Sequence, residues 1–345
     1  MIKKKIGLVS MLIASTMLLF GCTSKEQVAT EREGLNIVTS VFAPYDFTRQ
    51  IVGDNAQVTM LLPPAAESHS YEPTPQDIIK LQNCDVFIYG GGASDAWVDG
   101  ILESINNKDM KVIKILDCVE LVEEEIVEGM EHEHKHDEAE EHSEEGVSNQ
   151  TGETHEENHD HEEEHDHEEI EYDEHVWTSP KNAIKIVKAI EAAVIEADEA
   201  NKADYEANTA AYVKELEDLD AAFEEVVANA KRKEVIFADR FPLRYFVEEY
   251  GLDYYAAFPG CSTDTEPSAA TVAFLIDKVK EDQIPAVFHI ELSNEKMADT
   301  ISEATGAKKL LFNACHNISK EDFEKGVTYL DMMKANVETI KEALN

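Results

Sequence analysis

Residues 56–89 have the sequence AQVTMLLPPAAESHSYEPTPQDIIKLQNCDVFIY and contain one complete strand–helix–strand unit. Both ends of this stretch are apolar and rich in β-branched or aromatic residues, as buried strands are. The segment between them predicts a helix, because Thr74 can cap its amino end and Pro75 suits the first helical position. A strand, a crossover helix and a second strand form a βαβ unit, which predicts a parallel sheet.

The same alternation of strand and helix continues on both sides of this unit. We predict eight strands, at 35–42, 56–63, 84–91, 111–116, 234–239, 252–258, 285–292 and 308–314. A long helix separates the first four strands from the last four. Its apolar stripe comprises Tyr212, Leu216, Leu219, Phe223 and Val226. The predicted fold class is therefore α/β, with two four-stranded parallel-sheet lobes joined by a long rigid helix and a ligand cleft between the lobes.

The domain boundaries follow from this pattern. We expect an N-terminal lobe at 35–200, a linking helix at 201–232 and a C-terminal lobe at 233–345. With 345 residues, the chain is long enough for two lobes that each have a core.

The amino terminus has the pattern of an export signal. Residues 1–21 combine a basic start, MIKKKIG, with a short apolar run that ends at Gly21 before Cys22. This ending resembles a bacterial lipobox, which implies cleavage before Cys22 and lipidation of its sulfur. Residues 22–34 then form a polar tether, and the mature protein is extracytoplasmic and anchored to the cell membrane. The alternative is an ordinary signal peptide with an incidental cysteine.

The acidic charge of the chain is concentrated in one segment. Of the net charge of −42, the region from Glu123 to Glu174 contributes 25 acidic residues against one basic residue, Lys135. Because residues 123–170 have no apolar pattern, we expect them to form a disordered loop within the N-terminal lobe. No basic patch is visible, so nucleic acid is not an expected partner.

This acidic loop also contains nine histidines and three matches to the His-Glu-x-x-His zinc-protease motif, at 132–136, 155–159 and 161–165. A segment composed mostly of Glu and His produces such matches by chance. It also lacks an apolar stripe, so no packed helix would hold a catalytic zinc. Two interpretations of the loop stay open, namely weak collection of zinc near the cleft and a solvated spacer.

Three of the four remaining histidines follow predicted strands. His69 follows the second strand, His175 the fourth strand once the acidic loop is excised, and His316 the last strand. The fourth, His289, lies inside a strand and is expected in the sheet. Because ligands of open parallel sheets bind beyond the carboxyl ends of the strands, the three loop histidines predict a Zn²⁺ site.

Two short sequence segments, around His69 and His175, resemble motifs of a known family. SHSYEPTPQD at 68–77 and DEHVWTSPKNA at 173–183 are similar to the histidine signatures of the zinc and manganese solute-binding lipoproteins of bacterial ABC importers. The lipobox, the acidic insertion and the final helix are similar too. The resemblance implies a receptor, not an enzyme, that holds one metal ion between two lobes and passes it to an ABC permease, as a lipid-anchored monomer.

The third ligand departs from the family pattern. The family usually has a His where this chain has Arg240, and a guanidinium cannot bind zinc. We therefore predict the ligands His69, His175 and His316, with water or a carboxylate from Asp239 or Glu291 as the fourth. Arg240 is then expected to pair with an acidic residue near the site and orient it. A nitrogen-rich site favours Zn²⁺ over Mn²⁺.

Other functions remain to be distinguished. An extracellular zinc hydrolase also needs three protein ligands, an open position and a general base, and Asp239 or Glu291 could serve as that base. A manganese-type receptor and an adhesin of the same family are further alternatives. Burial of the metal between the lobes favours a receptor, whereas a groove as wide as a substrate favours a hydrolase.

Two of the cysteines could form a disulfide in the exported protein, and the alternative is two free buried thiols. Cys261 and Cys315 both follow strands of the second sheet at its carboxyl edge, so a bridge between them would clamp the loop of His316. Cys84 starts its strand and Cys118 follows the end of another, which places these two at opposite edges.

Deletion of residues 131–169 tests the interpretation of the acidic loop. We expect the fold and one tight zinc site to remain, while the number of weakly bound zinc ions falls, because the segment has no apolar pattern. Calorimetric titration with zinc measures both phases. Loss of the high-affinity phase would contradict the prediction.

Overall fold

The computed structural model describes residues 34–130, 171–262 and 267–345. The predicted signal peptide, Cys22, the tether up to residue 33 and the predicted loop from 131 to 170 lie outside the described residues. The described chain contains two four-stranded sheets, and all their strands are parallel. The predicted α/β class with two four-stranded lobes is confirmed.

The strands follow the prediction closely. Six of the eight end two or three residues earlier than predicted, where the chain turns into loops, whereas the fifth ends two residues later and the sixth one residue later. The first sheet consists of β1 Leu35–Thr39, β2 Ala56–Met60, β3 Val86–Tyr89 and β4 Lys111–Lys114. The second consists of β5 Glu234–Phe241, β6 Asp253–Pro259, β7 Ala286–His289 and β8 Lys308–Leu311. The strand order is β2-β1-β3-β4 in the first sheet and β6-β5-β7-β8 in the second, so both lobes have the same topology.

Ten α-helices connect and cover the sheets within the described residues. They are α1 Phe42–Val52, α2 Pro75–Gln82, α3 Trp97–Ser104, α4 Pro180–Ala197, α5 Lys202–Ala228, α6 Arg244–Tyr250, α7 Ala269–Glu281, α8 Lys296–Thr305, α9 Lys320–Lys325 and α10 Tyr329–Ala343. Thr74 caps α2 in a full capping box, and Ser179 caps α4. The sequence did not predict α9, whose six residues are too few to show a helical period.

The long helix α5 lies between the two sheets in sequence and is about 40 Å long at 1.5 Å per residue. Its buried stripe includes Tyr212, Leu216, Leu219 and Phe223, as predicted, and continues at Val227 instead of Val226. None of the described helices combines the length and the apolar character that crossing a membrane requires.

One hydrophobic core extends through both lobes. Ile37 of β1 and Phe237 of β5 belong to it together with α4, α5 and α10, whereas the next residue of β1, Val38, belongs to a smaller cluster on the opposite face of its sheet. Ile236 of β5 likewise belongs to a separate cluster. This alternation follows from the two-residue period of strands. Each sheet therefore packs one face on the shared core and the other on its own outer helices.

Residues 123–130, which were predicted as the start of a disordered loop, are part of the fold. Within residues 123–130, Val127 packs against the main core and Met130 is buried. Glu123 also forms an antiparallel bridge with Tyr172 across the base of the loop. These few apolar side chains and the backbone pairing are enough to order the segment, although its overall composition is acidic.

Cys261 and Cys315 do not form a disulfide in the structure. Both follow carboxyl ends of strands, as predicted, but β6 and β8 are the two outermost strands of the sheet. Three strand spacings separate them, which is about 14 Å, well beyond disulfide reach unless the loops bend together. Cys315 is instead buried, with its Sγ directed at the carbonyl of Asn313.

Asn336 of α10 connects this helix to the loop after β8. Its side chain accepts the backbone N–H of Asn313 at 2.8 Å and donates to the carbonyl of the same residue at 2.8 Å. Asn336 is fully buried, so its removal leaves two backbone groups without partners.

Replacement of Asn336 by Leu is therefore expected to lower the free energy of unfolding by about 3 kcal/mol. Chemical denaturation monitored by circular dichroism measures the change. Glu338→Ala on the same helix is the control, because the Glu338 side chain is 76% exposed and should contribute less than about 0.5 kcal/mol. Equal free energies of unfolding for the two variants would contradict the stabilising role of the hydrogen bonds between Asn336 and Asn313.

Candidate metal site

Three histidines from separate loops meet at one point between the lobes. The ring centroid of His69 lies 5.7 Å from that of His175 and 5.1 Å from that of His316, and the centroids of His175 and His316 are 5.0 Å apart. One potential ligand atom of each ring lies within 4.8 Å of the others. Among the described residues, this is the group of histidine, cysteine and acidic side chains whose geometry suits a metal ion.

Each histidine is placed by a strand or turn. His69 lies in the loop between β2 and α2, and His316 lies between β8 and α9. His175 precedes the turn Val176–Thr178, where Thr178 donates backbone and side-chain hydrogen bonds to the carbonyl of His175 at 3.1 and 2.8 Å. The fourth histidine, His289, ends β7 and is not part of the group.

The Nδ1 atoms of the three rings contact polar groups outside the cluster. His69 Nδ1 is 2.8 Å from Ser94 Oγ, and His316 Nδ1 is 3.3 Å from Ser68 Oγ. His175 Nδ1 is 3.2 Å from a carboxylate oxygen of Asp173. The Nε2 atoms are therefore left as metal ligands, and outer partners of this kind fix the orientation of ligand rings.

The buried Nε2 of His175 tests whether these residues fit a metal. This atom has no hydrogen-bond partner among the described residues, although the ring is fully buried. A buried polar atom without a partner is costly and calls for an explanation, and a bound cation supplies one. Tetrahedral zinc requires ligand nitrogens about 3.4 Å apart, so a small contraction of the cluster would complete the site.

The electrostatic environment keeps two rings neutral and favours positive charge at the third. Burial, with help from the charges of His175 and Arg240, lowers the pKa of His69 to about 3. Burial and the charge of His175 also lower the pKa of His316 well below its usual value. Burial opposes charge on His175 as well, but Asp173 and other nearby carboxylates outweigh it and raise the pKa of that ring. The same carboxylates would stabilise a bound cation.

Glu174 and Ser94, which the sequence analysis missed, support the ring of His69. Glu174 lies 3.5 Å from His69 Nδ1 and accepts hydrogen bonds from both the backbone and the hydroxyl of Ser94. Burial raises the pKa of Glu174. The sequence DEH at 173–175 contained the signal, since both acidic residues directly precede a predicted ligand, but only the fold shows that each serves a different histidine.

The two predicted carboxylates lie in different places. Glu291 lines the same cavity as the three histidines, where its oxygens accept the backbone N–H groups of Ala314 and His316 at 2.6 and 3.1 Å. Burial raises its pKa. Asp239 does not line this cavity, and its oxygens accept the backbone N–H groups of Arg240 and Ile290. Neither carboxylate belongs to the cluster of potential ligand atoms.

Arg240 pairs with Glu67 in a bidentate ion pair. Its two terminal nitrogens lie 3.0 and 3.1 Å from the two oxygens of Glu67, and both residues line the cavity of about 210 Å³ that contains the histidines. Glu67 also accepts the backbone N–H of His69 at 3.3 Å. The guanidinium thus occupies the cavity wall without being a ligand.

Comparison with known proteins explains why these features occur together. The model of the family described as periplasmic zinc-uptake complex component A matches residues 37–343. The chain belongs to this family. Among the zinc-uptake relatives, the high-affinity zinc uptake system protein ZnuA of Bacillus subtilis is 34% identical in an alignment of 347 positions that covers 100% of this chain and 99% of the relative. The zinc-binding lipoprotein AdcA of Streptococcus pneumoniae is 32% identical over 97% of this chain, which spans only 60% of AdcA.

Solved structures of zinc-uptake family members share the fold. The Zn(II)-bound ZnuA-like domain of Streptococcus pneumoniae AdcA aligns with a TM-score of 0.68 at 29% identity, over 90% of this chain and 99% of that domain. The metal-dependent lipoprotein YcdH of Bacillus subtilis aligns with a TM-score of 0.69 at 31% identity, over 90% of this chain and all of that one.

Family membership confirms the main functional prediction. The protein is the zinc-binding receptor of an ABC zinc-uptake system, it works with a permease, and it is not an enzyme. The predicted metal, Zn²⁺, is confirmed by the same family membership and by the Zn(II)-bound relative.

Replacement of Asp173 by Asn should weaken zinc binding by about 10- to 100-fold, because Asp173 holds both the ring and the backbone N–H of His175. Competition with a chelator of known affinity measures the change. Glu171→Gln in the same segment is the control, since Glu171 is exposed. Unchanged affinity in the Asp173 variant would show that His175 does not need this carboxylate.

Proposed function

We propose that His69, His175 and His316 bind one Zn²⁺ through their Nε2 atoms and that this ion is the transported cargo. The observation that carries the proposal is the convergence of three buried rings whose potential ligand atoms lie within 4.8 Å. Neutral imidazoles suit Zn²⁺, whereas a manganese site would contain more oxygen ligands.

The fourth position belongs to water or to Glu291. Three protein ligands leave one tetrahedral position, and the cavity of about 210 Å³ has room for a water molecule. Glu291 is a better candidate than Asp239 because it lines this cavity. Both of its oxygens, however, accept backbone N–H groups, so ligation would require it to release one of them.

Burial supports a receptor over a hydrolase. His175 is fully buried, the residue His316 is 9% exposed, and the side chain of His69 is 7% exposed. A zinc enclosed by these rings would have little contact with a macromolecular substrate. Asp173 accepts the backbone N–H of His175, Glu174 that of Ser94, and Glu291 those of Ala314 and His316, whereas a general base must be free to reach the zinc-bound water.

The cellular setting completes the proposal. We infer that Cys22 carries the lipid that holds the protein at the outer face of the cell membrane, where the monomer hands zinc to the permease. The acidic segment at 131–170 collects zinc weakly, because its histidines are numerous and are accompanied by carboxylates.

Histidine-to-alanine variants test the ligand set. Replacement of His69, His175 or His316 should each weaken tight zinc binding by at least tenfold, since each removes one of three or four bonds to the metal. His289→Ala is the matched control, because that ring lies outside the cluster. Zinc titration and the absorption spectrum of the cobalt-substituted protein provide the readouts.

Full affinity in the His316 variant would remove this residue from the site. If only the His316 variant kept full affinity, a two-histidine site would replace the proposed one.

A further inference from the structure

We propose that the Glu67–Arg240 ion pair is a latch between the lobes that positions His69 and slows the release of zinc. This inference rests on the proposed function, because it concerns the rate at which the same site loses its metal. Neither residue is proposed as a ligand.

The pair connects the two lobes directly at the metal cavity. Glu67 lies in the loop after β2 of the first sheet, two residues before His69, and Arg240 lies in β5 of the second sheet. Two parallel N–H···O bonds of 3.0 and 3.1 Å join them, and Arg240 also donates to the carbonyl of Ser262 at 3.3 Å. Bidentate pairs of this type are stronger and more directional than single contacts.

The backbone of β5 is shaped to present Arg240. The pairing of β5 with β6 shifts register between Phe237 and Arg240, which is the irregularity of a β-bulge. Bulges are frequent beside functional sites because they redirect a side chain. Here Arg240 points into the wall of the cavity, where its side chain is only 17% exposed.

The pair also separates two cavities. Glu67, Arg240 and Leu292 line both the histidine cavity of about 210 Å³ and an adjacent cavity of about 240 Å³. The adjacent cavity contains none of the three histidines. An ion leaving the histidines in this direction would have to pass the ion pair, so the pair must open or shift.

The pair is mechanically coupled to one ligand. Glu67 accepts the backbone N–H of His69 at 3.3 Å, so the carboxylate that Arg240 holds also restrains the ligand loop. When the pair breaks, the loop of His69 loses its attachment to the second lobe at this point. Loss of one of three ligands would let zinc escape, which is why the latch should act on the dissociation rate.

The latch and a simple charge effect predict opposite results for one variant. Arg240 places a positive charge beside the cation, so removal of that charge alone should slow zinc release. Removal of a latch should accelerate it. Arg240→Met is therefore the decisive variant, whereas Glu67→Gln accelerates release under both explanations because it leaves Arg240 without its counter-charge.

The experiment uses the mature full-length protein loaded with one zinc ion and mixed rapidly with an excess of a fluorescent chelator. We expect Arg240→Met and Glu67→Gln each to raise the dissociation rate by about threefold or more, and the double variant to add little beyond either one. Arg240→Lys should restore the rate only in part, because an ammonium group cannot form the two parallel bonds. The cobalt spectrum should stay unchanged, since the three histidines remain.

Arg244→Met is the matched control. Arg244 is another arginine of the second lobe with a bond to the first, 3.3 Å from Glu125, but it does not line the histidine cavity. Its replacement should leave the dissociation rate unchanged.

Slower or unchanged release from Arg240→Met would overturn the latch, as would rate effects that multiply in the double variant. An altered cobalt spectrum in either single variant would overturn it too, because it would place the pair in the metal's coordination sphere. Failure of the wild-type protein to hold one zinc at the histidines would instead overturn the proposed function, so the two failures are distinguishable.

Discussion

The backbone of residues 313–318 is the element on which the metal site depends most. The N–H groups of Ala314 and His316 bind Glu291, while the carbonyl of Ala314 accepts the indole N–H of Trp177 at 2.8 Å. The carbonyl of His316 accepts the backbone N–H of Phe42, at the start of α1. One short loop is thus hydrogen-bonded to its own sheet and to the opposite lobe. Its geometry fixes His316 against the two histidines of the first lobe.

Hydrogen bonds also explain how carboxylates act around the site. Asp173, Glu174 and Glu291 each accept hydrogen bonds from backbone or side-chain groups that carry or position a histidine. Asp173 and Glu174 place carboxylates beside the rings without competing for the metal, whereas Glu291 is also the candidate fourth ligand. Histidine nitrogens can then provide the bonds to zinc, while the acidic groups stabilise its charge from a second layer.

Local sequence patterns predicted most of the fold because each pattern had a local cause. The cap at Thr74, the two-residue period of the strands and the helical stripe at Leu216 and Phe223 all depend on neighbours in sequence. The three histidines were predictable because strand ends in a parallel sheet share one edge. The ion pair of Arg240 and the absence of a Cys261–Cys315 bridge could not be predicted, because they depend on how distant strands are arranged. Glu67 is 173 residues away from Arg240, and β6 and β8 are separated by two strands.

The core that extends through both lobes affects how the whole molecule melts. Ile37, Phe237 and the buried face of α5 belong to one continuous apolar cluster, so neither lobe can lose its packing while the other keeps all of its own. Heat should therefore disrupt both lobes in a single cooperative transition. A cargo ion held at the junction would raise the melting temperature of the entire protein, since it binds only the intact form. Thermal stability thus reports directly on how much of the receptor is loaded.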